Sequence, residues 1–223
     1  MRGPGRLRRT RGGRIAFGVQ TGGTSARPTI TSAGSYNDGT RHHAVAHHDL
    51  AGAPQGPGDS TVTLTPDEDA YVNGVAANTN YDDNQLASRG TTAYLSYLRF
   101  TLPSAPAGQV LKSARLTFRT SSDSTARSAE SHSIVPVTGA WTESAVTHNT
   151  RPALSTSVLG TITGASSVST GYSAALDASA LDGALGSVSS LALTSSGTDS
   201  LRIWSSEATT AYRPQLVLTF GDE

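Results

Sequence analysis

The 223-residue chain has no cysteine, a single methionine, a single lysine (Lys112) and only 15% charged residues. Without thiols there is no disulfide framework, no cysteine nucleophile and no zinc site built from thiolates. No apolar run approaches the roughly 18 residues that a membrane-spanning helix requires. At the N-terminus the only apolar patch, Ile15 to Val19, is interrupted by Gly18, so the apolar centre of an ordinary secretory signal is not seen there. The 16 Arg against one Lys look like a bias of the source sequence and carry little structural weight.

Ser and Thr are abundant, 30 and 29 residues, next to 23 Gly. That composition suits short strands joined by many turns. The formal charge of zero hides an asymmetry: residues 1–58 hold eight Arg against Asp38 and Asp49, and residues 59–223 hold nine basic against 15 acidic side chains. A basic arm attracts nucleic acid or anionic lipid in a salt-sensitive way. Stretches such as MRGPGRLRRTRGGR and AGAPQGPGD, however, offer no face to bury. Residues 1–58 are therefore read as a disordered basic leader, and no nucleic-acid partner is expected. Within it, RHHAVAHHDL (Arg41 to Leu50) would place His43 and His47 on one side of a helix, but its Gly-rich flanks oppose a helix and no HExxH pattern is present.

From Ser60 onward the pattern alternates with period two. TVTLT, AYLSYLRFTL, ARLTFRT, SIVPV, SVLGTI, SSLALTS, SLRIW and PQLVLTF are short, rich in Val, Leu, Thr and aromatics, and separated by Gly, Pro, Ser, Asn and Asp. Eight or more such strands without helical periodicity between them predict an all-β fold over residues 59–223, an antiparallel β-sandwich of jelly-roll type. A domain of roughly 160 residues buries about 70% of its unfolded-chain surface and needs no covalent staples. Only Asp177 to Leu185 reads differently, as a short helix or turn at one end of the sandwich.

Alternation also assigns faces. If Leu98, Phe100, Ala114, Leu116, Phe118, Leu201 and Ile203 point to the core, then Tyr97, Arg99, Arg115, Arg119, Arg202 and Trp204 point outward. An aromatic face takes the C–H side of a pyranose, and guanidinium groups pair bidentately with uronate carboxylates or sulfates. The six residues are thus a candidate ligand-binding stripe for an acidic polysaccharide. The plainer reading has the arginines decorating a solvated sheet and Trp204 in the core.

Five segments in order carry a resemblance: DAYV (Asp69 to Val72), TNYDDNQL (Thr79 to Leu86), SYLRFTLP (Ser96 to Pro103), WTESAVTHNTRP (Trp141 to Pro152) and WSSEATTAYRPQLVLTF (Trp204 to Phe220). Together they resemble the DNRLRE-domain family of bacterial and archaeal extracellular proteins, some of which are carbohydrate-binding modules that bind alginate. The resemblance covers about Ser60 to Phe220. It implies a secreted, jelly-roll-like module that binds polysaccharide without catalysis, beside a catalytic domain or in a cell-surface protein. A monomer is expected. His148, Tyr172 and Thr101 depart from the family's usual residues and leave the ligand open.

Three further expectations concern acids and bases. Asp67, Asp69, Asp82 and Asp83 supply hard oxygen atoms of the kind calcium takes, by analogy with other β-sandwich modules. Trp141 and Glu143 are read as architecture, an end plug and a turn acceptor, and Glu207 as a turn acid pairing with Arg213. No GxSxG, HExxH or Walker motif is present, and His132, His148 and Glu143 are the residues a lyase or hydrolase would use. A structural or adhesive module without a sugar site is the other alternative.

Overall fold

The structure is a computed structural model that describes residues 58–91 and 93–223, preceded by the backbone of three short strands. Those strands, β1 (Arg6–Arg9), β2 (Ile15–Gly18) and β3 (Thr29–Thr31), pair antiparallel in the order β1-β2-β3. The remainder of the expected leader, with the histidine cluster from Arg41 to Leu50, lies outside the described residues.

Residues 58–223 form the antiparallel β-sandwich that the alternation predicts. One sheet has five strands in the order β10 (Gly160–Ile162), β9 (His132–Pro136), β12 (Val188–Thr194), β7 (Tyr94–Thr101) and β5 (Glu68–Asn73). The other has four, β11 (Gly171–Leu176), β8 (Gln109–Arg119), β14 (Gln215–Asp222) and β4 (Ser60–Leu64). A two-stranded sheet of β13 (Leu201–Trp204) and β6 (Gln85–Ser88) contributes Leu86, Leu201 and Ile203 to the same core.

The main core lies between the two large sheets. Leu98 and Phe100 of β7 and Leu191 and Leu193 of β12 meet Leu116 and Phe118 of β8 and Leu216, Leu218 and Phe220 of β14. Side chains of this size each contribute about 1.5–3 kcal/mol when fully buried. At one margin the sheets touch directly: a Cβ on Gly160 would stand 2.3 Å from the carbonyl oxygen of Ala175, and the Asp177 amide donates to the Leu159 carbonyl at 2.7 Å. Asp177 then caps α1 (Ala178–Asp182), accepting from the amides of Ser179 and Ala180, where the sequence pointed to a short helix or turn.

The second face of the five-stranded sheet is also covered. Ala70, Val72, Tyr97, Val135 and Ala192 project from it into a smaller core roofed by Trp141 and Val146, which belong to the segment between β9 and β10. Alternation along β7 is obeyed, but both of its faces are covered over its middle, from Ser96 to Leu98.

Candidate functional site

The outer face of the four-stranded sheet is open. On β8, Arg115, Thr117 and Arg119 point away from the core because Ala114, Leu116 and Phe118 point into it. Register sets Ser173 of β11 and Gln215 of β14 on either side of Thr117, and Gly171 opposite Arg119. Beyond Gln215 a 3-10 turn, η1 (Thr210–Tyr212), lifts Tyr212 and Arg213 beside the sheet. These residues line a groove of about 550 Å³. Its lining holds three arginines, Arg115, Arg119 and Arg213, and no carboxylate.

Aromatic groups flank the cations. The Arg119 guanidinium sits 4.9 Å from the centroid of the Tyr212 ring, and Tyr212 stacks on Trp204 at 5.8 Å with 25° between ring planes. Tyr212 is 37% exposed. An exposed cation–π contact is worth about 0.5–1 kcal/mol, enough to hold the guanidinium plane over the ring while its N–H edges stay free for a ligand. Among the described residues neither Arg115 nor Arg119 forms an ion pair.

Of the six residues expected on one stripe, the structure brings Arg115 and Arg119 into the groove and sets Trp204 next to it. The other three lie elsewhere. Tyr97, expected to face solvent, is 0% exposed under the Trp141 roof, its ring 5.5 Å from the indole. Arg99, expected to face outward toward a ligand, pairs with Glu68 at 2.9 Å, stacks over Trp141 at 4.8 Å and donates to the Trp141 carbonyl. Arg202 is half-buried on the two-stranded sheet, opposite Ala87. Pleating decides which residues of one strand share a face, but it says nothing of which sheet a strand joins or what covers that sheet. Tyr212 and Arg213 were missed because AYRP reads as a turn before the last strand; an aromatic and a cation at an exposed turn were the only signal.

A second cluster is acidic. Carboxylate oxygens of Asp69, Glu143 and Glu207 lie within 4.8 Å of one another. Asp69, on β5, is 0% exposed. Its amide donates to Glu143 Oε1 at 2.8 Å, and its Oδ2 accepts from the Ser206 amide at 2.8 Å. Ser206 Oγ in turn donates to Glu207 Oε1 at 2.6 Å. Burial, reinforced by the charges of Glu207 and Glu143, pushes the Asp69 carboxyl up to about 8. Burial is also the first cause holding Glu143 and Asp82 above the usual carboxylate range, with neighbouring acids adding to it.

Of the four aspartates expected to serve calcium, only Asp69 belongs to this group. Asp67 accepts from Thr101 Oγ1 at 2.8 Å, and Asp83 accepts from the Asn84 amide at 2.8 Å. Asp82 is exposed and feels the charges of Glu207 and Asp83. Glu143 takes its hydrogen bond from a distant strand, not from a nearby turn, and Trp141 roofs a sheet face where an end plug was expected. Glu207 does not pair with Arg213, whose Nε donates to the Ala208 carbonyl at 2.9 Å. The acid–base candidates occupy separate environments: His132 is buried against Ser88 Oγ at 3.0 Å, His148 lies beside Arg151, and Glu143 is held by Asp69.

The family model of carbohydrate-binding module family 96 matches residues 60–220 of the chain. No curated protein matches the chain.

Proposed function

The chain belongs to carbohydrate-binding module family 96, and from that premise we propose that it holds an acidic polysaccharide, such as alginate, in the groove on the outer face of the four-stranded sheet. The observation that carries this reading is the lining itself: three guanidinium groups, an exposed tyrosine and no carboxylate. A neutral glucan needs no such charge, whereas a chain of uronates presents a carboxylate on every residue, and guanidinium–carboxylate hydrogen bonds are about twice as strong as neutral ones. Thr117, Ser173 and Gln215 add hydroxyl and amide groups along the floor for sugar hydroxyls. Tyr212, whose ring meets Arg119 and stacks on Trp204, offers its exposed edge and hydroxyl, and the partly exposed Trp204 adds apolar ring surface for the C–H side of the sugar.

The module's role is then to keep a partner close to its substrate. A partner catalytic domain or a cell surface gains from even a weak site, because tethering raises effective concentration. Binding without catalysis is supported by the family and by the separate settings of His132, His148 and Glu143. A secreted location follows from a polysaccharide ligand; among the described residues no helix is long and apolar enough to cross a membrane.

Affinity electrophoresis of the full chain through gels containing alginate, pectate or a neutral glucan tests the reading, with Arg119→Ala and Tyr212→Ala as variants. Retardation on the acidic gels alone, weakened by added salt and by either substitution, is the expected result. Equal mobility on all gels, or retardation that neither variant changes, overturns it. A second reading, a structural or adhesive module without a sugar site, is favoured by the commitment of Tyr97 and Arg99 to internal packing, and it predicts no retardation at all.

A further inference from the structure

Beyond the groove, we propose that Asp69, Glu143 and Glu207 form a calcium site that ties the loop after β13 to β5 and to the segment roofing the five-stranded sheet. Three observations meet here. The three carboxylates converge within 4.8 Å from parts of the chain far apart in sequence, the first pair 74 residues apart. Each is fixed through one oxygen while the other is spare: Oδ2 of Asp69 accepts from Ser206, Oε1 of Glu143 from the Asp69 amide, and Oε1 of Glu207 from Ser206 Oγ. Finally, Asp69 Oδ1 is buried with no hydrogen-bond partner. Among the described residues no Lys, Arg or His forms an ion pair with any of the three acids.

A buried, unpartnered carboxylate oxygen beside two further acids is costly unless a proton or a cation neutralises it, and the spare oxygens of Glu143 and Glu207 supply the further donors that a cation needs. Oxygen-only donors select a hard ion. Calcium binds oxygen at about 2.3–2.6 Å, so ligands on opposite sides stand up to about 5 Å apart, and it takes six to eight of them with water completing the set. Magnesium, at about 2.0–2.1 Å, would need the acids drawn closer. The exposed Glu207 leaves one side open for water and for Asp82, which feels its charge.

The location gives the ion a role. Ser206 and Glu207 lead into η1, which carries Tyr212 and Arg213 to the groove. An ion held between Glu207, Asp69 and Glu143 would fix the start of that loop. This inference stands whether or not the groove binds glycan, so its test uses no glycan.

The full chain, stripped with chelator, is titrated with calcium chloride by calorimetry, and its thermal unfolding is followed with calcium, with magnesium and with chelator alone. Stoichiometric binding of one calcium and a rise of several degrees in midpoint, much larger than magnesium gives, are expected. Glu207→Gln, at an exposed position that threatens no packing, should weaken calcium affinity at least tenfold, and Asp69→Asn should abolish binding. No heat and no shift with calcium overturns the site. An equal shift with magnesium, or undiminished binding by Glu207→Gln, overturns the assignment as well.

Discussion

Replacing Tyr97 by Phe separates a sheet-face residue available to ligand from one locked inside the fold. The Tyr97 ring lies in the smaller core with Val135, Ala192 and Trp141, and its hydroxyl is buried with no hydrogen-bond partner. Burial pushes that hydroxyl's pKa up to about 12, with the charge of Arg151 acting in the opposite direction. An unsatisfied buried polar group costs roughly 1–3 kcal/mol. Phe keeps the ring, its packing and the 5.5 Å contact with the indole, and removes the group that has no partner. The variant should be more stable by about 1 kcal/mol, or some 2–4 °C in a domain of this size. Urea unfolding followed by tryptophan fluorescence gives the midpoint, and an unchanged slope assigns the shift to stability alone. A loss of 1 kcal/mol or more would show that the hydroxyl has a partner, such as a buried water, and would refute the reasoning. So would reduced retention of the variant on an acidic-glycan gel. Trp141→Ala, which removes the roof, should by contrast cost about 3–5 kcal/mol.

Arg99→Ala should destabilise the fold by about 1 kcal/mol, since it loses a partly exposed pair with Glu68 and a stack on Trp141, yet leave glycan retention unchanged; altered retention with normal stability would contradict this. Burial lowers the pKa of His132 against the weaker upward pull of Glu130 and Asp199. Below about pH 6.5 the unfolded chain therefore binds a proton that the native state does not, and stability falls with pH by at most about 1.4 kcal/mol per unit until the folded pKa is reached. Unfolding midpoints of the chain and of His132→Gln between pH 7 and 5 should differ in slope in that sense, and parallel slopes would dismiss it. Gly160→Ala places a Cβ 2.3 Å from a backbone oxygen and should cost roughly 1–3 kcal/mol; a neutral result would mean that the two sheets part easily at this margin.

Period-two reading found β7, β8, β12 and β14 because each alternates large apolar residues with polar ones or lies among them. It passed over β6, whose QLAS is buried at three of four positions and does not alternate, and β11, whose inward residues include alanine in place of a branched side chain. The groove was half legible: Arg115 and Arg119 sit two turns of the pleat apart on one strand, so a single alternation places both. Tyr212 and Arg213 reach it from a turn, where no periodicity operates. Tyr97 and Arg99 were misplaced because the roof comes from a segment with no regular element of its own. The acidic group was beyond any local pattern, since Asp69, Glu143 and Glu207 meet only after two sheets and a long connection have been folded together.

The roof over one sheet and the open surface of the other divide most of the sequence into two sets, which meet at Phe118 and Tyr172. Residues that specify the fold fill the two dry layers, among them Phe100, Phe220, Tyr97 and Trp141. Arg115, Thr117, Ser173 and Gln215 line the open side, with the Thr117 hydroxyl donating to the Gln215 carbonyl. On the proposed reading of the groove, replacing those four should redirect the module toward a polymer of different charge while the folding information stays intact, so this surface would serve as a graftable platform for choosing new ligands.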